Sequence, residues 1–376
     1  MLLLIIIYLA FISLGLPDSV LGSAWPIIHT EWGLPLDAAG YVSLVGVSGS
    51  ILSSFLSGKI VRRFGAAKVT LLSCLMTGLA LLGYSFAPSY IWLLILAVPL
   101  GFGGGSVDAA LNNYVATHYK AHHMNWLHSF WGVGATLGPI IMSGFLLTSW
   151  HMGYRTISLL QLSLALVLFA TLRLWPKEKL EVSEEHLDKK VIGMKGVKYA
   201  LMVFMFYCMA EFSTGLWGAS YLVQIKDIAP ESAARLVAMY YGGITIGRMV
   251  SGFLTFKFSN KELVRYGVYL SVASMIILML SSSSGVILIA LLLFGFGLAP
   301  IFPAMIHETP NHFGKDVSQT VIGYQMAFAN IGIAFLPSLI GVIVRSISLS
   351  ILPPIIIGGM LMVLMSANKV FKMKAS

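Results

Sequence analysis

The chain has 376 residues, of which 57% are hydrophobic and only 10% are charged. Soluble domains carry about 25% charged residues, so this composition excludes an ordinary water-soluble protein. The net charge of +9 would suit a nucleic-acid partner, and it has to be interpreted from where the basic residues lie.

Twelve stretches are long and apolar enough to cross a bilayer as helices, since a crossing takes about 20 residues. The first is too long for a signal peptide and lacks a basic n-region and a small-residue cleavage site, so we expect a retained helix. Gly, Pro, Ser and Asn within many of the stretches favour helices that pack closely or line a cavity. The predicted spans are 1–28, 37–58, 67–87, 90–117, 125–149, 155–175, 199–224, 232–256, 264–283, 285–306, 317–344 and 351–371.

The basic residues are distributed unevenly between the loops. If spans and loops alternate sides, nineteen of the 24 Lys and Arg residues fall on one side, four on the other, and Arg248 lies inside a span. The positive-inside rule then places both termini and the central loop in the cytoplasm. The net charge therefore indicates topology rather than nucleic-acid binding, and we expect a multi-pass protein of the plasma (cell inner) membrane.

A polar, charged segment at 176–198 divides the chain in two. We predict a six-helix half at 1–175, a cytoplasmic linker at 176–198 and a second six-helix half at 199–376. Three matches recur across the divide in the same order: GFG at 101–103 and 295–297, Gly134 to Pro139 with Gly332 to Pro337, and GSAW at 22–25 with GASY at 218–221. They predict pseudo-symmetric halves, a plan that transporters use with a site near the midplane.

Four charged residues lie clearly within predicted spans, away from the span ends, where each costs about 2.5–3.5 kcal/mol or more: Asp18, Asp108, Glu211 and Arg248. Burial in a partly dry cavity favours the protonated form of a carboxyl group. Asp108, then Asp18 and then Glu211 are therefore the candidates for proton coupling. A packing role remains the alternative for Asp108. Asp18 follows the helix-breaking Pro17 and has the alternative of capping a kink.

Arg248 is expected to have an acidic partner, because an unpaired cation inside the membrane is costly. Glu211 in the same half is the first candidate by topology, and Asp18 is the second.

Polar and aromatic residues in four spans are candidates for solute contact. Asn112 lies one helical turn after Asp108 and shares its face. Amides and imidazoles hydrogen-bond hydroxyl groups and aromatic rings stack on C–H faces, which suits a polyol, although ordinary packing is the alternative for each ring. Gln325 and Asn330 lie about 140° apart around their helix, so we do not expect both in one cavity. The candidates are Asn112, Asn125, His128, Trp131, Trp217, Tyr221, Gln325 and Asn330.

Six polar, Gly-rich segments stand out within the spans: GLPDSVLGSAWP (15–26), GFGGGSVDAALNNYV (101–115), NWLHSFWGVGATLGP (125–139), GGITIGRMVSG (242–252), GFGLAPIFPAMIHETPNHFG (295–314) and GYQMAFANIGIAFLP (323–337). They resemble motifs of the major facilitator superfamily, and within it those of the fucose, galactose and glucose:proton symporter branch. The resemblance implies the major facilitator fold, sugar:proton symport, and a coupling role for the helix 4 acid, here Asp108.

The segment SGKIVRRFGAAK at 57–68 resembles the signature that this superfamily carries between helices 2 and 3. Arg62 stands where an Asp is usual, so the charge pairing implied for this loop is altered. Arg62 and Arg63 are the candidate gating residues of the loop.

The sequence contains no GxxxxGK[ST] loop for ATP, no zinc-ligand cluster and no placed nucleophile with its base. We therefore expect no enzyme, no cofactor and no metal site. The prediction is an all-α membrane protein of twelve transmembrane helices that takes up a sugar or sugar-like polyol with protons by alternating access. Its partners would be that solute, protons and the lipid bilayer, with no nucleic acid, and the chain would be monomeric. A proton-driven exporter of drugs or metabolites, and a non-transporting receptor or scaffold, are the alternatives.

Overall fold

The computed structural model describes residues 2–119, 121–175, 191 and 193–372. The described residues form α-helices joined by short loops, and the predicted all-α membrane fold is confirmed. The helices are α1 (Leu2–Asp18), α2 (Val20–Glu31), α3 (Ala38–Phe64), α4 (Ala66–Tyr84), α5 (Tyr90–His118), α6 (Ala121–Ser143), α7 (Trp150–Ala170), α8 (Val197–Lys226), α9 (Pro230–Leu254), α10 (Asn260–Leu280), α11 (Ser284–Leu298), α12 (Ile301–Phe313), α13 (Lys315–Ser346) and α14 (Leu352–Phe371).

Each of the twelve predicted spans corresponds to helix in the structure, with α1 and α2 forming the first span and α11 and α12 the tenth. Within the described residues, ten of these segments are long and apolar enough to cross a membrane. The two others are α6, whose first half is rich in His and Asn, and α9, which carries Glu and Arg.

Five predicted spans, the second, fifth, sixth, ninth and tenth, have a boundary that differs from the structure by four residues or more. The sixth span is predicted at 155–175, whereas α7 begins at Trp150 and ends at Ala170. Likewise α3 continues beyond the predicted end at 58, as far as Phe64. Hydrophobicity marks only the part of a helix that lies in lipid, and these helices continue through polar residues at an interface.

The first span breaks where the sequence carries Pro17. A proline has no amide hydrogen to donate and its ring clashes with the preceding turn, and α1 ends one residue later at Asp18. Ser19 forms a turn before α2 begins at Val20. The break sets a carboxyl group at the end of one helix in the middle of a membrane-spanning segment.

By internal contacts the chain forms two compact units, Met1–Glu184 with Ala229–Ala238, and Glu185–Ile228 with Met239–Ser376. The predicted linker, 176–198, lies largely outside the described residues.

The matched GFG motifs make the same kind of contact in each unit. In the first, Gly101 of α5 lies against the backbone of Gly46 in α3, and a Cβ added at Gly101 would collide with the Gly46 carbonyl oxygen. In the second, Gly295 of α11 lies in the same way against the carbonyl oxygen of Tyr240 in α9. In both units, a glycine of the fourth span lets its backbone meet that of the second span.

The matched glycines of the fifth spans make the same kind of close backbone contact. A Cβ on Gly134 of α6 would collide with the carbonyl oxygen of Ile12 in α1, and one on Gly332 of α13 would collide with that of Met205 in α8. The fifth span of each unit therefore crosses the first span of the same unit at backbone contact. Two of the three sequence matches therefore correspond to equivalent helix contacts in the two units.

Candidate functional site

The crossing of α1 and α6 brings an acid and an indole together. Gly15 of α1 has no room for a Cβ because the backbone of Trp131 lies against it, and Gly138 of α6 is likewise pressed against the carbonyl oxygen of Leu16. Small residues permit this close approach of two membrane helices. The side chains next to the crossing, Asp18 at the end of α1 and Trp131 of α6, therefore meet.

The Trp131 indole Nε1–H donates a hydrogen bond of 2.8 Å to Oδ2 of Asp18. Asp18 is nevertheless exposed, although the neighbouring Ser19 is buried. A hydrogen bond to a carboxylate is stronger than one between neutral groups. The hydrogen bond therefore fixes the carboxyl group of a residue that is itself exposed.

A second carboxyl group lies on α5 nearby. Asp108 is close enough to act on Asp18 electrostatically, and its own Oδ1 accepts a 2.9 Å hydrogen bond from the Asn112 amide one turn later. The side-chain oxygen of Asn112, Oδ1, is buried and has no hydrogen-bond partner among the described residues. The first unit thus holds two acids that interact, and a hydrogen-bond acceptor, the side-chain oxygen of Asn112, that has no partner among the described residues.

The remaining candidates of the first unit are His128, Asn125, Arg62 and Arg63. His128 is exposed on α6, and its ring meets Phe11 edge to face at 5.9 Å. The side chains of Asn125 and Arg62 lie outside the described part of the chain, and their roles stay predictions. Arg63 is exposed at the end of α3, with its guanidinium 5.4 Å from the centre of the Phe64 ring.

In the second unit, the intramembrane cation is paired with an acid. A guanidinium nitrogen of Arg248 in α9 lies 3.4 Å from Oε1 of Glu211 in α8, and the two side chains are 19% and 6% exposed. This is the partner that topology predicts for Arg248. A paired charge at this depth avoids the cost of an isolated one, while the partial exposure of Arg248 leaves it reachable.

Tyrosines surround this ion pair, and the sequence reasoning missed them. The Tyr240 hydroxyl donates a 2.9 Å hydrogen bond to the backbone carbonyl oxygen of Glu211. The buried Tyr207 interacts electrostatically with Glu211 and Arg248. The Tyr241 hydroxyl lies where a Cβ on Gly215 would be. One signal was available, because Tyr207 precedes Glu211 by four residues and shares its helix face.

Two aromatic candidates of α8 are buried in helix packing. Trp217 is fully buried, donates its indole N–H at 2.8 Å to the Pro337 carbonyl oxygen, and covers Gly341 of α13. Tyr221 is 3% exposed and borders a small void against α10, α11 and α14. The structure does not bring either ring together with the Glu211–Arg248 pair.

The two candidates of α13 also differ from each other. Gln325 is fully buried, and its amide donates a 3.0 Å hydrogen bond to the Thr309 hydroxyl of α12. Asn330 is partly exposed. The expectation that these two side chains face different surroundings agrees with this placement.

Comparison with known proteins identifies the class that this fold and these charged groups define. The family model of the Major Facilitator Superfamily matches residues 7–367, and the chain belongs to this superfamily of membrane transporters. The predicted superfamily is confirmed, and the expected branch of fucose, galactose and glucose symporters stays a prediction.

Three similar proteins illustrate the breadth of the family. The Saccharomyces cerevisiae protein Bypass of stop codon protein 6 is 24% identical over 91% of this chain and 77% of its own length. The cis,cis-muconate transport protein of Acinetobacter baylyi is 21% identical over 89% of this chain and 85% of its own length. The crystal structure of the nucleoside transporter NupG superposes with a TM-score of 0.76 at 13% identity, covering 98% of this chain and 99% of that one, and at this identity it shows the fold alone.

Proposed function

We propose that the protein is a secondary active transporter that takes up a sugar or sugar-like polyol together with protons by alternating access. The observation that carries the proposal is the carboxyl group of the exposed residue Asp18, held by Trp131 within a membrane-spanning segment and close to Asp108. Acids inside the membrane are expensive and mark proton and solute pathways.

The hydrogen bond between Trp131 and Asp18 offers a way to couple the two substrates. The indole N–H binds the carboxylate strongly because the acceptor is charged. Protonation removes that charge and weakens the bond, so the indole N–H becomes available to a hydroxyl group of the solute. Binding of solute then favours the protonated carboxyl group, and by linkage the proton favours solute binding equally.

Asp108 and Asn112 supply the remaining polar contacts of this hypothesis. With its amide engaged by Asp108, Asn112 keeps a carbonyl oxygen that no described group satisfies. A hydroxyl group of a polyol is a donor that fits this acceptor. The Trp131 ring offers a face for the C–H groups of the same solute.

A second candidate is uptake of an organic carboxylate, and Arg248 favours it. Arg248 is partly exposed and its contact with Glu211 is 3.4 Å, longer than a typical charge-assisted hydrogen bond of about 2.7–2.9 Å. A solute carboxylate could take the place of Glu211 once that acid is protonated. The relative that carries muconate transports a solute of this charge.

Uptake by proteoliposomes separates these functions. Vesicles holding the purified protein are given labelled sugars, polyols, nucleosides and carboxylates, with and without an inward pH gradient. The proposal requires that the gradient drive accumulation of a hydroxylated neutral solute and that Asp18→Asn abolish that accumulation. Gradient-driven accumulation of a carboxylate alone would establish the second candidate, and outward pumping of lipophilic cations would establish an exporter.

A further inference from the structure

A cavity outside the polar site lies between α3, α4 and α5. It has a volume of about 620 Å³, within the range of about 300–1,000 Å³ of ligand pockets. Its walls are almost wholly apolar, so a sugar, a nucleoside or an ion would find few hydrogen-bond partners there. The residues that define it include Ile60, Phe64, Val69, Leu72, Leu79 and Leu96.

The cavity is a groove that opens on the outer surface of these helices. Leu72 and Leu79, which line it, are each 57% exposed, and Phe64 is 45% exposed. On α4 the lining extends from Val69 to Ala80, which is about 17 Å of helix at 1.5 Å per residue. That depth is about half of a hydrocarbon core of about 30 Å, so the groove is as deep as one leaflet.

Basic residues gather at one end of the groove. Three exposed basic residues each come directly before a residue that lines the groove. They are Lys59 before Ile60, Arg63 before Phe64 and Lys68 before Val69. The guanidinium of Arg63 lies over the Phe64 ring, 5.4 Å from its centre. No Asp or Glu occurs between residues 38 and 107, so this stretch supplies no acid to neutralise the basic group.

We propose that the groove binds one anionic phospholipid. An acyl chain fills the apolar groove to the depth of one leaflet, and the headgroup phosphate lies among Lys59, Arg63 and Lys68. Apolar walls account for the chain, and the unbalanced positive charge at the mouth selects an anionic headgroup over a zwitterionic one. The positive-inside rule assigns this end to the cytoplasmic leaflet, where anionic lipids attract basic segments.

Native mass spectrometry of the delipidated protein tests the proposal. Phosphatidylglycerol and phosphatidylcholine with the same acyl chains are added separately, and the fraction of protein that carries one lipid is followed against lipid concentration. We expect wild-type protein to bind the first phosphatidylglycerol at least about tenfold more tightly than phosphatidylcholine, since several basic residues near the membrane surface attract an anionic headgroup.

Two kinds of variant separate the headgroup from the chain. The triple change Lys59→Gln, Arg63→Gln and Lys68→Gln should abolish the preference while leaving weak binding of both lipids. Leu79→Trp, which fills the groove from its open side, should weaken binding of both. Melting curves establish that each variant is folded, and Leu72→Trp provides a second filling variant should Leu79→Trp fail to fold.

Matched controls lie elsewhere on the protein. Lys257→Gln with Lys261→Gln removes charge from the loop after α9 and from the first turn of α10. Leu159→Trp enlarges an exposed side chain of α7 that does not line the groove. Both controls should bind phosphatidylglycerol as wild type does. An unchanged preference in the triple variant, or unchanged binding in both filling variants, overturns the proposal.

Discussion

Trp131 donates its indole N–H to the Asp18 carboxyl group at 2.8 Å, across 113 residues of sequence. Trp131→Phe keeps an aromatic ring at this position and removes the donor. Hydrogen bonds to charged groups contribute about 1.5–3 kcal/mol, so we expect gradient-driven uptake to fall by about tenfold or more. Uptake at several solute concentrations, with and without the pH gradient, measures the loss.

The control for this variant is Trp126→Phe, which alters an exposed indole of the same helix, α6. It should leave uptake within about twofold of wild type, because surface substitutions rarely change stability by more than about 0.5 kcal/mol. Equal losses in the two variants would mean that the Asp18 contact has no special part in transport.

The two acids of the first unit should differ when neutralised. Asp18→Asn removes the titrating group that Trp131 binds and retains an amide of similar shape. We expect it to lose accumulation driven by a pH gradient and to retain exchange of labelled for unlabelled solute, which requires no net proton movement. Parallel assays of accumulation and exchange in proteoliposomes separate these two activities.

Asp108→Asn should weaken exchange as well as accumulation, since Asp108 holds the Asn112 amide and so orients the acceptor proposed for solute. If Asp108→Asn lost accumulation alone and Asp18→Asn lost neither, Asp108 would be the coupling acid and Asp18 a helix cap.

The packing of α1 against α6 depends on a glycine. Gly134→Val adds a Cβ that collides with the carbonyl oxygen of Ile12, together with two further methyl groups, and overpacking costs about 1–3 kcal/mol or more. We expect a lower melting temperature and loss of uptake, because the crossing also sets Trp131 beside Asp18. Thermal unfolding in detergent followed by circular dichroism measures the first effect.

The second unit offers a matched test of this packing. Gly332→Val should destabilise comparably, since Gly332 lies in the same way against Met205. Gly252→Val is the control, because a Cβ at Gly252 meets nothing within 4 Å. Unchanged melting of the Gly134 and Gly332 variants would show that these crossings tolerate side chains.

Much of this architecture could be predicted because it depends on local pattern. Apolar runs of membrane length gave the helices, and the spacing of Gly134 and Pro139, repeated at Gly332 and Pro337, marked equivalent crossings. Asp108 and Asn112 share a face by helical spacing alone. These features need no knowledge of how distant helices are rotated.

The contacts that build the candidate site depend on that rotation and could not be read from spacing. The sequence marks Trp131 as a candidate for solute contact, yet nothing in its sequence neighbourhood links it to Asp18. Trp217 looked similar by composition, and the structure buries it against Pro337. An amphipathic pattern is a weak guide in a membrane, because lipid-facing and core-facing positions are both apolar.

Removing one partner of the Glu211–Arg248 pair should destabilise the fold strongly, and replacing both partners with apolar residues should destabilise it little. Removing one partner leaves an uncompensated buried charge, at about 3–5 kcal/mol, whereas removing both avoids that penalty. We expect Arg248→Leu to lower the melting temperature strongly and Glu211→Leu with Arg248→Leu to restore most of it. Additive losses in the double variant would mean that the two side chains, 3.4 Å apart, do not depend on each other.

Transport by the same double variant separates stability from function. If the pair serves only to neutralise buried charge, the stable double variant takes up solute as wild type does. If Arg248 binds a solute carboxylate, the double variant is folded yet fails to take up any anion, and Glu211→Gln, which keeps Arg248 and removes its competitor, binds the anion more tightly. Anion uptake that survives in the double variant would therefore remove the carboxylate hypothesis while leaving the proposed role of Asp18 intact.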